Sequence, residues 1–252
     1  MNFDNKVVLI TGAGSGIGRA TALLFSEKGA KVAVNDILAE KGKETVDLIK
    51  SKGKEAVFIL GDVSIAAEAE KIVIKTVETF EKLNILINNA GIVLAGKVEE
   101  VTEEDFEKTM RVNVKGPLLL SKYAIPEMKK VGGGVIVNVA SIAALRGVAN
   151  RCIYSVSKGA LTSLTRSIAK DYLKENIRVN TICPGTTYTK GLAERIKNSP
   201  DPEAMLAEFM ARQPSGRLGK VEEIAQAILF AACDEAAFMT GSIISIDGGG
   251  TL

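Results

Sequence analysis

The sequence contains no histidine and no tryptophan. Without histidine, the commonest general base and the commonest metal ligand are both missing. Proton transfer must then fall to tyrosine, lysine or a carboxylate. Cysteine is scarce. Cys152, Cys183 and Cys233 make an odd count with no Cys-x-x-Cys pair, which argues against a disulfide framework or a zinc site. No metal is expected. No apolar run approaches the roughly 18 residues of a spanning helix. The opening Met1-Asn2-Phe3-Asp4-Asn5-Lys6 lacks the parts of a signal peptide, so a cytoplasmic location is expected. Glutamine occurs only at Gln213 and Gln226 among many Lys, Glu and Ile, a bias of heat-adapted chains. Neither sign of charge dominates: 32 Lys+Arg against 30 Asp+Glu leave +2, so no nucleic-acid or membrane partner is expected.

What remains is an apolar fraction of 46% in 252 residues, ample for one large core. Short apolar, β-branched runs lie at 7–11, 31–35, 56–60, 85–87, 135–139, 178–182 and 242–246. They are nearly continuous rather than alternating, as in strands buried on both faces. Helical periodicity fills 17–29, 38–52, 66–81, 103–130, 153–174 and 221–233. This alternation predicts an α/β fold: a single-domain, Rossmann-type, doubly wound parallel sheet of about seven strands with helices on both faces. The domain spans 1–252. Four prolines punctuate 184–214, where a helical pattern near 202–212 suggests a substrate lid at about 186–214. A plain surface excursion is the alternative.

The first strand runs into Thr11-Gly12-Ala13-Gly14-Ser15-Gly16-Ile17-Gly18-Arg19, and a helix follows. Glycines there let a pyrophosphate approach bare N–H groups, and the helix N-terminus favours its charge. The second strand ends in Asp36, whose carboxylate can accept both hydroxyls of an adenosine ribose and repels a 2′-phosphate. It could instead cap the next helix. With Ser15 rather than a basic residue in the loop, these positions favour NAD.

Tyr154 and Lys158 are four apart at the start of a helix, on one face. A nearby ammonium favours a phenolate, so Tyr154 is expected to have a lowered pKa and to take an alcohol proton. Ser141, just after the fifth strand, suits orientation of the substrate oxygen. Cys152 has no histidine partner and reads as a small thiol of the pocket wall.

The Thr-Gly-x-x-x-Gly-x-Gly loop and the Tyr-x-x-x-Lys pair resemble the short-chain dehydrogenase/reductase family over essentially the whole chain. The resemblance implies cofactor contacts at Gly12, Ser15, Gly16, Ile17 and Gly18, at Asp62 and Val63, and at Asn89 in Asn88-Asn89-Ala90-Gly91. It gives Asn88 a mixed structural and binding role. It adds Pro184, Gly185, Thr187 and Thr189 at the nicotinamide, with Tyr154 and Lys158 touching the cofactor too. It places Asn113, on the long helix before the fifth strand, beside Lys158 in a water-linked proton relay. Asn113, Ser141, Tyr154 and Lys158 are thus the catalytic candidates. It also implies a homotetramer built on two long helices and the last strand.

Arginine grips carboxylates in a bidentate way, though any single one more often reads as a solvated surface charge. The segments around Arg151, Arg195, Arg212 and Gln213 resemble the cytosolic 3-hydroxybutyrate or 4-hydroxyproline dehydrogenase branch and related sugar-acid dehydrogenases. That implies a small, carboxylate-bearing substrate held by Arg151, Arg195, Arg212 and Gln213 with Ser141 and Tyr154. Two alternatives stand beside it: an NADPH-dependent 3-oxoacyl-carrier-protein reductase, and a non-enzymatic NAD-binding sensor.

Overall fold

The computed structural model describes residues 1–211 and 213–252. The strands are β1 (Val7–Thr11), β2 (Lys31–Asp36), β3 (Ala56–Leu60), β4 (Ile85–Asn88), β5 (Gly134–Val139), β6 (Ile177–Pro184), β7 (Thr187–Tyr188), β8 (Gly219–Lys220) and β9 (Ile243–Ile246). The helices are α1 (Gly16–Glu27), α2 (Ala39–Lys50), α3 (Ala66–Phe80), α4 (Glu103–Met110), α5 (Gly116–Lys130), α6 (Cys152–Asp171), α7 (Lys190–Lys197), α8 (Pro202–Ala211) and α9 (Val221–Ala232). Seven strands form one parallel sheet in the order β3-β2-β1-β4-β5-β6-β9. This is the doubly wound sheet expected from the alternation of runs.

Both faces of the sheet are buried, and successive side chains serve opposite cores. Val8 and Ile10 of β1 join Val32, Val34, Phe25, Ile49 and Ile228 on the face covered by α1, α2 and α9. Leu9 joins Ala33, Ile72, Leu86, Leu120 and Ile168 on the face covered by α3, α5 and α6. Each large aliphatic side chain so buried contributes about 1.5–3 kcal/mol relative to exposure. A buried polar tie crosses the middle strands. Asn88 Nδ2 donates to Asn138 Oδ1 at 2.8 Å, and Asn138 Nδ2 donates to Thr165 Oγ1 at 2.8 Å.

From β1 the chain steps outward to β2 and β3, then crosses back to β4 on the other side of β1. The connections leaving β1 and β4 therefore diverge and open a crevice at the carboxyl ends of the strands.

Two local features differ from expectation. The helix anticipated over 103–130 is broken by a π-helical turn at Arg111–Lys115, where Gly116 N–H bonds to Arg111 C=O five residues back. The 186–214 segment holds an unanticipated helix, α7, and its β7 forms a two-residue parallel ladder with β8, just beyond the segment. Thr189 starts α7 by accepting the N–H of Leu192 at 3.1 Å. Among the described residues no helix is long and apolar enough to cross a membrane.

Candidate active site

The turn out of β1 is shaped by glycine. Gly12 and Gly16 adopt φ of +61° and +53°, where a side chain is disfavoured. A Cβ on Gly18 would collide with the carbonyl of Gly12, so α1 sits hard against the loop. Ser15 is the N-cap of α1 but its side chain caps nothing, and the first turn has no acidic residue. The first N–H groups of the helix therefore remain open for an anion. Asn89 holds the loop from behind, donating from Nδ2 to Thr11 C=O at 2.9 Å and Gly12 C=O at 3.2 Å. Arg19 ties it to α2, donating from Nε to Gly14 C=O at 2.9 Å and pairing with Glu44 at 2.7 Å.

Asp36 ends β2 with its carboxylate fixed. Oδ2 accepts from Gly14 N–H at 2.8 Å, and Oδ1 accepts from Leu38 N–H at 2.9 Å. A carboxylate has about four acceptor positions, so the group is oriented yet still free to accept more. Gly12, Ser15, Gly16, Ile17 and Asp36, with Asp62 and Val63 beyond β3, line one part of the crevice, about 610 Å³. Gly18 does not line it, and its close approach to Gly12 seats α1 against the loop.

A second part, about 350 Å³, continues through the shared Ile17, Asn89 and Thr189. Ser141, Tyr154, Lys158, Pro184, Gly185 and Thr187 line it. The loop, Asp36 and the tyrosine–lysine pair thus share one continuous cleft. Asn88 stays in the sheet with Asn138 and does not line it.

At the far end Ser141 lines the crevice beside Tyr154, and its Oγ accepts Ala143 N–H at 3.2 Å. The ammonium of Lys158 lies 5.7 Å from the centroid of the Tyr154 ring and donates to Val139 C=O at 2.9 Å. Burial pushes the phenol of Tyr154 above its ordinary range, against the opposing pulls of Ser141 and of the charge on Arg151. The expected lowering is absent in the free protein. Lys158 is itself 4% exposed, and burial pushes its ammonium down to about 8. The nearby thiol is Cys183, held up at about 11 mainly by burial. Cys152, expected in the pocket wall, lines neither part of the crevice.

Asn113 lies in the π-helical turn, fully buried. Its Oδ1 accepts Ile92 N–H at 2.8 Å, and its Nδ2 donates to Ile92 C=O at 2.9 Å and to Ser157 Oγ at 3.0 Å. Both protons of the amide are used. Asn113 Oδ1 and Lys158 Nζ lie 3.2 and 3.4 Å from where a Cβ on Gly91 would stand, so the expected neighbours do meet there.

The substrate candidates divide. Arg195 reaches the crevice from α7, its guanidinium 5.0 Å from the centroid of the Phe209 ring. An adjoining pocket of about 180 Å³ shares Ser141, Tyr154 and Arg195 with the crevice and adds Arg146 and Arg151. Gln213 is 4% exposed, donates to Thr186 Oγ1 at 3.0 Å and lines a separate small pocket beside Asp247. Arg212 lies outside the described residues. Sequence reasoning missed Arg146, which sits in a loop and carries no periodic signal. It also missed Lys108 and Arg111 on the wall opposite Asp36.

A family model described as enoyl-(acyl carrier protein) reductase matches residues 12–251. An uncharacterized oxidoreductase of Thermotoga maritima is 67% identical over 251 residues, covering 100% of this chain and 99% of its own length. Dehydrogenase/reductase SDR family member 6 of Aquarana catesbeiana is 41% identical over 250 residues, covering 99% and 98%. The crystal structure of levodione reductase superposes with a TM-score of 0.95 at 33% identity, covering 99% of each chain. By fold, crevice and relatives together, the chain belongs to the short-chain dehydrogenase/reductase family and is an oxidoreductase of the kind that acts on CH–OH groups.

Proposed function

We propose that the protein is an NAD-dependent dehydrogenase that interconverts a secondary alcohol and a ketone on a small hydroxy acid, such as a 3-hydroxybutyrate-like, hydroxyproline-like or sugar acid. One observation carries the reading: a single crevice joins the oriented carboxylate of Asp36 to Ser141, Tyr154 and Lys158.

The residues fit a dinucleotide. The open N–H groups of Gly16, Ile17 and Gly18 suit a pyrophosphate, and Asp36 retains acceptor capacity for a ribose diol. Asp62, Val63 and Asn89 would hold the adenine side; Pro184, Gly185, Thr187 and Thr189 would hold the nicotinamide side. A bound nicotinamide supplies the hydride acceptor and a positive charge near the phenol. Tyr154 takes the hydroxyl proton as the carbinol carbon gives up its hydride, and the products are the ketone, NADH and a proton. Ser141 steadies the substrate oxygen. Lys158 uses one of three N–H groups on Val139, leaving two for ribose hydroxyls. Asn113 fixes Ile92 and Ser157, and its Oδ1 keeps a lone pair for a water linked to Lys158.

Arg151 and Arg195 suit a carboxylate beside Tyr154; Arg212 belongs to the same proposal from outside the described residues. The charge of Asp36 disfavours the 2′-phosphate that an NADPH-dependent acyl-carrier reductase would need. A non-enzymatic sensor would have no use for Tyr154 against Ser141. Three free cysteines support a reducing, cytoplasmic setting. Exposed Phe106, Leu118 and Val156 on α4, α5 and α6 support a homotetramer, as do exposed Phe230 and Phe238 beside the outer strand β9.

The test is reduction of NAD+ and NADP+ with 3-hydroxybutyrate, 4-hydroxyproline, aldonates, 2-keto-3-deoxy acids and neutral polyols. Turnover confined to the acids with NAD+ is the expected result. Turnover on polyols removes the carboxylate, and a strict need for NADP+ removes the role of Asp36.

A further inference from the structure

The pocket beyond Tyr154 is more cationic than one carboxylate requires. Its walls carry Arg146, Arg151 and Arg195 and no Asp or Glu. Arg195 is shared with the catalytic crevice, whereas Arg146 and Arg151 line only the pocket. Arg146 follows the 3-10 turn Ile142–Ala144, and among the described residues it has no ion pair and no side-chain hydrogen bond. Arg19 and Arg217, by contrast, are each tied to a carboxylate, Glu44 and Glu223. A single carboxylate engages one guanidinium fork fully. Arg146 and Arg195 alone place two guanidiniums on about 180 Å³, and each fork can engage a carboxylate of its own. Ile142, Val148 and Phe209 complete the walls with apolar surface, which suits a short carbon chain between two charged ends.

We propose that Arg146 is a specificity residue that binds a second carboxylate, so the preferred substrate is a short hydroxy dicarboxylate rather than a monocarboxylate. The proposal rests on the hydroxy-acid reading and narrows it. One carboxylate lies with Arg195 at the mouth, and the other lies in the pocket with Arg146.

The test compares 3-hydroxybutyrate with 3-hydroxyglutarate, which replaces its methyl group with CH2–COO−, and with 3-hydroxyhexanoate, a monocarboxylate whose uncharged tail controls for length. The wild-type enzyme with NAD+ should favour 3-hydroxyglutarate by about tenfold or more in kcat/KM over both, the scale of one charge-assisted contact. Arg146→Gln should lower kcat/KM for 3-hydroxyglutarate about tenfold more than for 3-hydroxybutyrate, chiefly through KM. An equal loss on both acids, or no preference in the wild type, overturns the proposal. Calorimetry of the NAD-loaded enzyme with glutarate and with butyrate supplies an arm free of turnover. If no hydroxy acid is oxidised but glutarate binds more tightly and depends on Arg146, the dianion site stands and the hydroxy-acid reading fails. If glutarate binds no better than butyrate, the dianion site fails whatever is oxidised.

Discussion

Burial acts in opposite directions on the two central groups, raising the phenol of Tyr154 and bringing the ammonium of Lys158 down to about 8. Both shifts disfavour the charged form, as a crevice without its cofactor should. Alcohol oxidation needs Tyr154 unprotonated, and its pKa lies above the neutral range. The unprotonated fraction therefore grows as pH rises, and kcat/KM for oxidation should climb between about pH 6 and 8 while ketone reduction does not. A flat oxidation profile over that span would contradict the role of Tyr154. Asp36→Ala removes two acceptors for the ribose, each worth roughly 1.5–3 kcal/mol as a bond to a charged group. Calorimetry should show NAD affinity falling by about tenfold or more, and NADP gaining relative to NAD. Unchanged NAD affinity would leave Asp36 as a loop clamp for Gly14 and Leu38 only. The residues legible in the sequence were those with a fixed chemical role and spacing: Gly12, Gly16, Asp36, Ser141, Tyr154, Lys158. Arg146 was not, because an arginine in a loop looks like any solvated charge until the fold brings Tyr154 to it.

The elements follow the sequence closely where hydrophobic period decides them. All seven sheet strands match their apolar runs to within two residues at either end. Misreadings arose where backbone geometry departs from periodic rules. The π-helical turn at Arg111–Lys115 inserts into what the pattern presents as one helix, and it is this turn that carries Asn113. The helix α7 is only 8 residues long and has Gly191 in its first turn, which blurs its signal. Asn113→Ala should leave the N–H and C=O of Ile92 without their partners. The cost is about 1–3 kcal/mol for each buried group left unsatisfied. A thermal melt should register it as a drop of several degrees. A melt within one degree of wild type would mean that the Gly91–Val93 wall is held by something else.

At the scale of the molecule, the strand order sets the function's location. Crossing from β3 back to β4 opens the part of the sheet edge where the carboxylate of Asp36 on β2 and the helix α6 after β5 line one crevice. The exposed apolar residues mark another consequence. Phe238 is fully exposed on the single chain, and among the described residues the outer edge of β9 carries no neighbouring strand. Light scattering should give about four times the 26.7 kDa of one chain. Phe238→Asp should shift that mass downward, whereas a wild-type monomer would refute the assembly. The scarcity of glutamine among Lys, Glu and Ile predicts a melting midpoint above the roughly 45–65 °C of ordinary domains. A midpoint inside that range removes the inference.

The most direct measurement is NADH formation by wild type and Tyr154→Phe on the best acid of the panel, with NAD binding measured on both. Removing the phenol hydroxyl should cut turnover by about 10²- to 10⁴-fold, the contribution of one positioned general base, while NAD affinity stays within a few-fold. Turnover close to wild type in the variant would contradict the assignment of Tyr154, and with it the mechanism built on Ser141, Tyr154 and Lys158.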